Sequence, residues 1–198
     1  MNEKLNIKEV IKVGLILFAI TAISAALLAF VNSKTAPLIA ENNIKKEQTA
    51  LAAVLPDCEF EEITDISAYE ALADGNGEIK KVYKATSGGQ TKGACVITET
   101  SGYDIGIQTV TGVDTDLTVT GIEIIAMNET PGLGANANNA DFKAQYAGKK
   151  YEVGVSKTAA SDTEIQAISG ATKTSKGVTN GVNIALKVAE KVMEGGAK

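Results

Sequence analysis

Residues 83–127 read YKATSGGQTKGACVITETSGYDIGIQTVTGVDTDLTVTGIEIIAM, and this stretch decides the fold. Four runs within it, YKATS (83–87), GACVITET (93–100), IGIQTVTGV (105–113) and LTVTGIEIIAM (117–127), are rich in Val, Ile and Thr. Such residues suit a pleated surface, and the Gly and Asp between the runs suit turns. No helical pattern separates the runs, so they predict neighbouring antiparallel strands and an α+β domain rather than a doubly wound parallel sheet. Upstream, the Asp74-Gly75-Asn76-Gly77 cluster marks a loop. Downstream, residues 136–149 predict a short helix, 150–155 a strand, and 176–193 a final helix. In that helix Val178, Val182, Ala185, Leu186, Ala189, Val192 and Met193 form one apolar stripe.

Far upstream the pattern changes. From Val13 to Val31 the chain is VGLILFAITAISAALLAFV, 19 residues without a charge, bracketed by Lys12 and Asn32. At ~1.5 Å per residue a helix of this run is about 28 Å long, close to the ~30 Å hydrocarbon core of a bilayer. It is apolar all round, which argues against a core helix in a chain of this size. It also exceeds the usual ~7–15-residue core of a cleaved signal, the stronger rival reading. Three Lys precede the span and Lys34, Lys45 and Lys46 follow it, so the positive-inside count is a tie. The acidic excess of the segment after the span tips it to the outside. Residues 35–54 predict a second helix, with Thr35 as cap, Pro37 in the first turn and Pro56 as the stop.

Composition excludes several chemistries. The 198 residues include no His, and the 19 basic residues are all Lys. That removes imidazole metal sites, His general bases and Arg phosphate forks. A pI near 4.9 argues against a nucleic-acid partner. The two cysteines, Cys58 and Cys95, cannot ligate an iron–sulfur cluster. They are read as unpaired thiols, with a disulfide as the alternative outside the cytoplasm. Redox chemistry here must come from a bound organic cofactor.

Two motifs could hold one. Ser169-Gly170-Ala171-Thr172-Lys173-Thr174-Ser175 lies directly before the last helix and carries four hydroxyls in seven residues. Hydroxyls and free N–H groups at a helix N-terminus favour an anion. A plain cap needs only one hydroxyl, and Gly and Ala leave room for something bulky. Asn128-Glu129-Thr130-Pro131-Gly132-Leu133-Gly134-Ala135 follows the last strand-like run. Its glycines permit close backbone approach to a flat ligand, or simply a tight turn, and Glu129 and Thr130 could bond a ring edge. Gly132-x-Gly134-x-x-Ala137 also fits a dinucleotide fingerprint, with Glu152 some way downstream. A lone match is weak where the preceding strands read as antiparallel.

Together, S-G-A-T-x-T-S and E-T-P-G-L-G some 40 residues earlier resemble the FMN-binding domain of the Rnf complex G subunit, shared with the C subunit of the sodium-translocating NADH:quinone reductase. The resemblance extends to the N-terminal span, Thr35-Ala36-Pro37, Leu55-Pro56, Gly102-Tyr103 and Gly106-Ile107. Met127 stands where the family often has His. The resemblance implies a short cytoplasmic N-terminus (1–12), a transmembrane helix (13–31), a juxtamembrane helix (32–55) and an extracytoplasmic, mainly antiparallel FMN-binding domain with flanking helices (56–198). It implies FMN esterified through its phosphate to Thr172, with Ser169, Gly170, Ala171, Thr174 and Ser175 around the phosphate. Glu129, Thr130, Gly132, Leu133 and Gly134 would approach the isoalloxazine. It further implies a separate flavin transferase, partner subunits of a membrane complex, and electron relay between ferredoxin and NAD coupled to Na⁺ or H⁺ movement. A related NADH:quinone reductase subunit and a stand-alone membrane-anchored FMN protein are the alternatives. A solute-binding lipoprotein is disfavoured, because no Cys stands just after the span.

Overall fold

The computed structural model describes residues 7–195. Residues 1–6 of the expected N-terminal segment lie outside the described residues. The chain forms two bodies that divide between Lys45 and Lys46.

The first body is carried by α1, a 48-residue helix that runs unbroken from Ile7 to Val54. The stretches 13–31 and 32–54 are therefore parts of one helix, not two, and Leu55 lies just past its end. Thr35 does not cap a second helix. Its hydroxyl turns back and donates to Val31 O at 3.1 Å. Thr21 does the same to Leu17 O at 3.0 Å, so neither hydroxyl offers the backbone an alternative to the helix. Pro37 sits inside the helix rather than in a first turn. Flanking Ala36, Leu38 and Ala40 are good helix formers and carry the ladder past it. The apolar side chains from Val13 to Val31 are exposed, and the helix is long and apolar enough to cross a membrane.

The second body is built on β1 (Glu59–Glu62), a short α2 (Ser67–Glu70) with a 3₁₀ turn at Ala71–Ala73, β2 (Glu78–Ser87), β3 (Gln90–Ser101), β4 (Ile105–Asp114) and β5 (Val119–Ala126). The strands pair in chain order, each antiparallel to the next. The four expected runs are β2 to β5. The strand of this sheet missing from the sequence reading is β1, EFEE, whose carboxylates hide it. It is an edge strand, where charge guards against further pairing. A second 3₁₀ turn (Gly134–Asn138) and the five-residue α3 (Ala140–Ala144) replace the single helix expected over 136–149. Of the strand expected over 150–155, only β6 (Gly154–Ser156) forms, parallel to β7 (Glu164–Gln166), which the sequence reading also misses. The last helix, α4, runs Thr172–Gly195. The glycines after β5 thus follow an antiparallel edge strand and open a 3₁₀ turn. They sit in no βαβ unit, and the dinucleotide fingerprint falls.

Both faces of the sheet are covered. Ala94 and Val96 of β3 join Ile107 and Val113 of β4 under α4, against Val178, Val182, Ala185 and Ala189. The alternating residues Cys95, Ile97 and Val110 face the end of α1, where Ala50, Leu51 and Val54 are buried. Two glycines let α4 sit close. A Cβ on Gly177 would lie 2.6 Å from Ser101 O, and one on Gly181 2.6 Å from Thr98 Oγ1. On the opposite face, Thr120 donates to Val54 O at 2.5 Å, and Lys81 Nζ reaches Glu47 Oε1 at 2.8 Å. Tyr83 OH also donates to the Glu47 carboxylate. The last turns of α1 are thereby built into this body.

Phe142 and Tyr146 meet edge to face, with ring centroids 5.7 Å apart. Thr179 spends its proton on Ser175 O, so the Tyr146 hydroxyl donates to Thr179 Oγ1, at 2.8 Å. Asn183 clasps both backbone groups of Val153. These ties fix the chain after β5 to α4.

Both cysteines are free; Cys95 is buried and Cys58 half-buried. Burial, and secondarily the neighbouring Cys58 thiol, pushes Cys95 up to about 12. The thiolate is the nucleophile, so Cys95 is inert while folded. The raised value favours the folded state below the ordinary thiol range near ~8.5, and that contribution is lost as pH climbs toward about 12. Iodoacetamide at pH 8 is expected to label the native chain at Cys58 alone, and at both thiols after denaturation. Two labels on the native chain, by intact mass, would contradict the packing of β3.

Candidate functional site

The site is made where the segment leaving β5 crosses the start of α4. Leu133 N and Ala135 N both donate to Thr130 O, at 3.1 and 3.2 Å. Gly132 turns the chain at φ +78°, a conformation that disfavours any side chain, and Asn136 Nδ2 holds its carbonyl at 3.0 Å. This tight turn pushes Leu133 outward, 47% exposed, while Glu129 is drawn in to 7%.

Glu129 is the knot. Its Oε1 accepts Tyr103 N at 2.9 Å and Asp104 N at 3.2 Å, both from the β3–β4 turn. Its Oε2 accepts the Thr174 hydroxyl at 2.8 Å, from the first turn of α4. One carboxylate therefore joins three segments.

At the start of α4, Gly170 has φ +76° and Ala171 N donates to Ile168 O at 2.9 Å. Ser175 Oγ accepts Ile168 N and donates to Ala171 O, both at 3.0 Å. Thr172 is the first helical residue. The N–H groups of this first turn lack intrahelical partners and carry partial positive charge.

Around this crossing lies a cavity of about 550 Å³, within the ~300–1,000 Å³ range of small-molecule sites. Its walls are Tyr103, then Glu129, Thr130, Leu133 and Gly134, then Gly170 to Thr174. Both motifs thus meet at one cavity across 40 residues of sequence. Eight of the eleven expected residues line it: Glu129, Thr130, Leu133, Gly134, Gly170, Ala171, Thr172 and Thr174. Three do not form its lining. Gly132 shapes the turn, Ser169 is exposed on the preceding turn, and Ser175 is buried and spent on the backbone. Tyr103 is a wall residue to which neither motif points. The signal for it in the sequence is an aromatic beside Gly102 at a strand joint, and it is 78% exposed at the cavity.

The hydroxyls of the α4 motif sort by occupation. Thr174 is taken by Glu129, and Ser175 by the backbone. On the α4 side of the cavity, Thr172 is the hydroxyl that lines the wall without a side-chain hydrogen bond among the described residues. The chemistry of this wall fits a phosphorylated aromatic ligand. Leu133 and Tyr103 offer apolar faces to a flat ring. The first turn of α4 and Lys173 offer positive charge to a phosphate. Thr172 offers an oxygen that folding does not need.

Comparison with known proteins bears on this directly. The family described as "FMN-binding domain" matches residues 102–187, and the "RnfG N-terminal region" matches residues 1–54. The G subunit of the Na⁺-translocating ferredoxin:NAD⁺ oxidoreductase complex of Acetobacterium woodii is 42% identical, over 94% of this chain and 96% of that one. The chain belongs to the RnfG family. A second member of this family, the G subunit of the proton-translocating ferredoxin:NAD⁺ oxidoreductase complex of Clostridium ljungdahlii, is 33% identical over 83% of each chain. The crystal structure of Shewanella oneidensis NqrC shares the fold, with TM-score 0.50 and 20% identity over 58% of this chain and 61% of that one. The RnfG relatives are named as subunits of ion-translocating oxidoreductase complexes, and this chain carries the family's N-terminal region and FMN-binding domain together.

Proposed function

We propose that this chain is the covalent-flavin electron carrier of an ion-translocating ferredoxin:NAD oxidoreductase complex, with FMN esterified to Thr172. The observation that carries the reading is the unengaged Thr172 hydroxyl in the wall of a cavity formed by both motifs. Bound FMN supplies the reversible electron acceptor that the side chains lack. The chain's own part is to hold and orient it. Thr172 gives the oxygen of the phosphoester. The first turn of α4 and Lys173 balance the phosphate charge. Leu133 and Tyr103 would hold the ring through their apolar surfaces, and Thr130 would offer it a hydrogen bond.

Attachment forms a bond from Thr172 Oγ to the flavin phosphate of FAD, breaks the pyrophosphate bond and releases AMP. A separate, Mg²⁺-dependent flavin transferase performs it. An intact mass of the chain matured with that enzyme is expected to exceed the polypeptide by one FMN less water, with the adduct on the peptide holding Thr172. An unmodified mass would overturn covalent attachment.

The apolar stretch of α1 is the single membrane anchor, packing beside other subunits of the complex, and the flavin domain lies outside the cytoplasm. The acidic excess after the span supports that side. A covalent bond there also prevents loss of a cofactor that no surrounding pool replaces. Protease added to sealed, right-side-out membranes is expected to digest the domain; full protection would reverse the orientation.

A further inference from the structure

Glu129 occupies an unusual electrostatic position. The residue is 7% exposed and lines the cavity. Its partners are two backbone N–H groups and one hydroxyl. Among the described residues it has no cation within salt-bridge distance. The charged neighbour in the same wall is Lys173, which is exposed to solvent. The space around the carboxylate is tightly drawn. A Cβ on Gly102 would collide with Oε1, and one on Gly134 with Oε2. The chain thus devotes two glycines, a threonine and a loop backbone to seating one carboxylate.

We infer that Glu129 is a positioning residue that keeps the redox potential of the bound flavin low and holds Tyr103 at the cavity mouth. The inference rests on flavin occupying this cavity. A fixed carboxylate in a poorly screened wall repels an added electron, so reduction becomes less favourable. Dipoles hold the carboxylate in place and offset its charge at the cavity only in part. A cation in their place would cancel it.

Glu129→Gln keeps the size and the acceptor for the two N–H groups, and its amide can donate to Thr174 Oγ1. It removes only the charge. Spectroelectrochemical titration of the flavin-loaded full chain is expected to show an upward shift. At a fixed applied potential the ratio of reduced to oxidised flavin rises roughly tenfold. Thermal unfolding of the same samples checks that the fold is intact. An unchanged or lowered potential in folded, flavin-loaded Glu129→Gln overturns the inference. Should that variant fail to fold, Thr174→Val decides. It keeps shape and charge but removes a donor that offsets the carboxylate, so the potential is expected to fall; no fall overturns the inference. Wild-type chain matured without any flavin would overturn the function reading and this inference with it. Flavin present with an unmoved potential overturns this inference alone.

Discussion

Thr172→Val is expected to yield a folded, colourless chain. The substitution removes the esterifiable oxygen and keeps a branched side chain of similar volume at the first position of α4. Thr172 is half-buried, and its side chain makes no hydrogen bond among the described residues. Such a change is worth at most about 0.5–1 kcal/mol of stability. Flavin incorporation, by contrast, should fall to nothing, because neither Thr174 nor Ser175 has a free hydroxyl to replace it. Ser169 is the control. Exposed and outside the cavity wall, it is expected to give a normal adduct when changed to Ala. In-gel flavin fluorescence and intact mass read both results. Fluorescence retained in Thr172→Val would move the attachment elsewhere.

Gly177→Leu is expected to cost the most stability. A Cβ at this position would sit 2.6 Å from Ser101 O and 3.2 Å from Gly102 Cα, both backbone atoms that cannot swing aside. Helix α4 would have to lift off β3, opening the core around Val178 and Val182. Overpacking of this kind costs about 3 kcal/mol or more, a large share of the ~5–15 kcal/mol that holds a domain together. The urea midpoint should drop accordingly. Gly14→Leu on α1, where a Cβ would meet nothing within 4 Å, is expected to leave that midpoint unchanged. A Gly177→Leu midpoint equal to wild type would mean that α4 does not lie as closely on the sheet as the structure has it.

The parts of this molecule that could be read from sequence are those where periodicity and local chemistry agree. Val, Ile and Thr in β2 to β5 mark strands whichever face they serve, and the α4 stripe meets the sheet as its spacing implies. Strand β1 escaped because an edge strand is selected for charge, which erases alternation. The helix start expected at Thr35 and Pro37 does not exist, because Thr35 bonds backward into the continuing helix, a choice that residue identity leaves open. At the site, motif composition located the cavity, but it could not divide the labour among its hydroxyls. Glu129 reads as a ligand contact, and nothing in the sequence signals that its oxygens also accept from Tyr103, Asp104 and Thr174. That assignment depends on contacts between residues some 25 to 45 positions apart.

The knot at Glu129 also bears on speed. An electron hop is slowed by every group that must shift when charge arrives. Here a turn, a loop and a helix start are bolted to one carboxylate, and α4 is seated on the sheet through glycines. Such walls have little freedom to rearrange, so the reorganisation energy of a hop into this cavity should be small. Glycines that add nothing to the chemistry would then help set the pace of the relay.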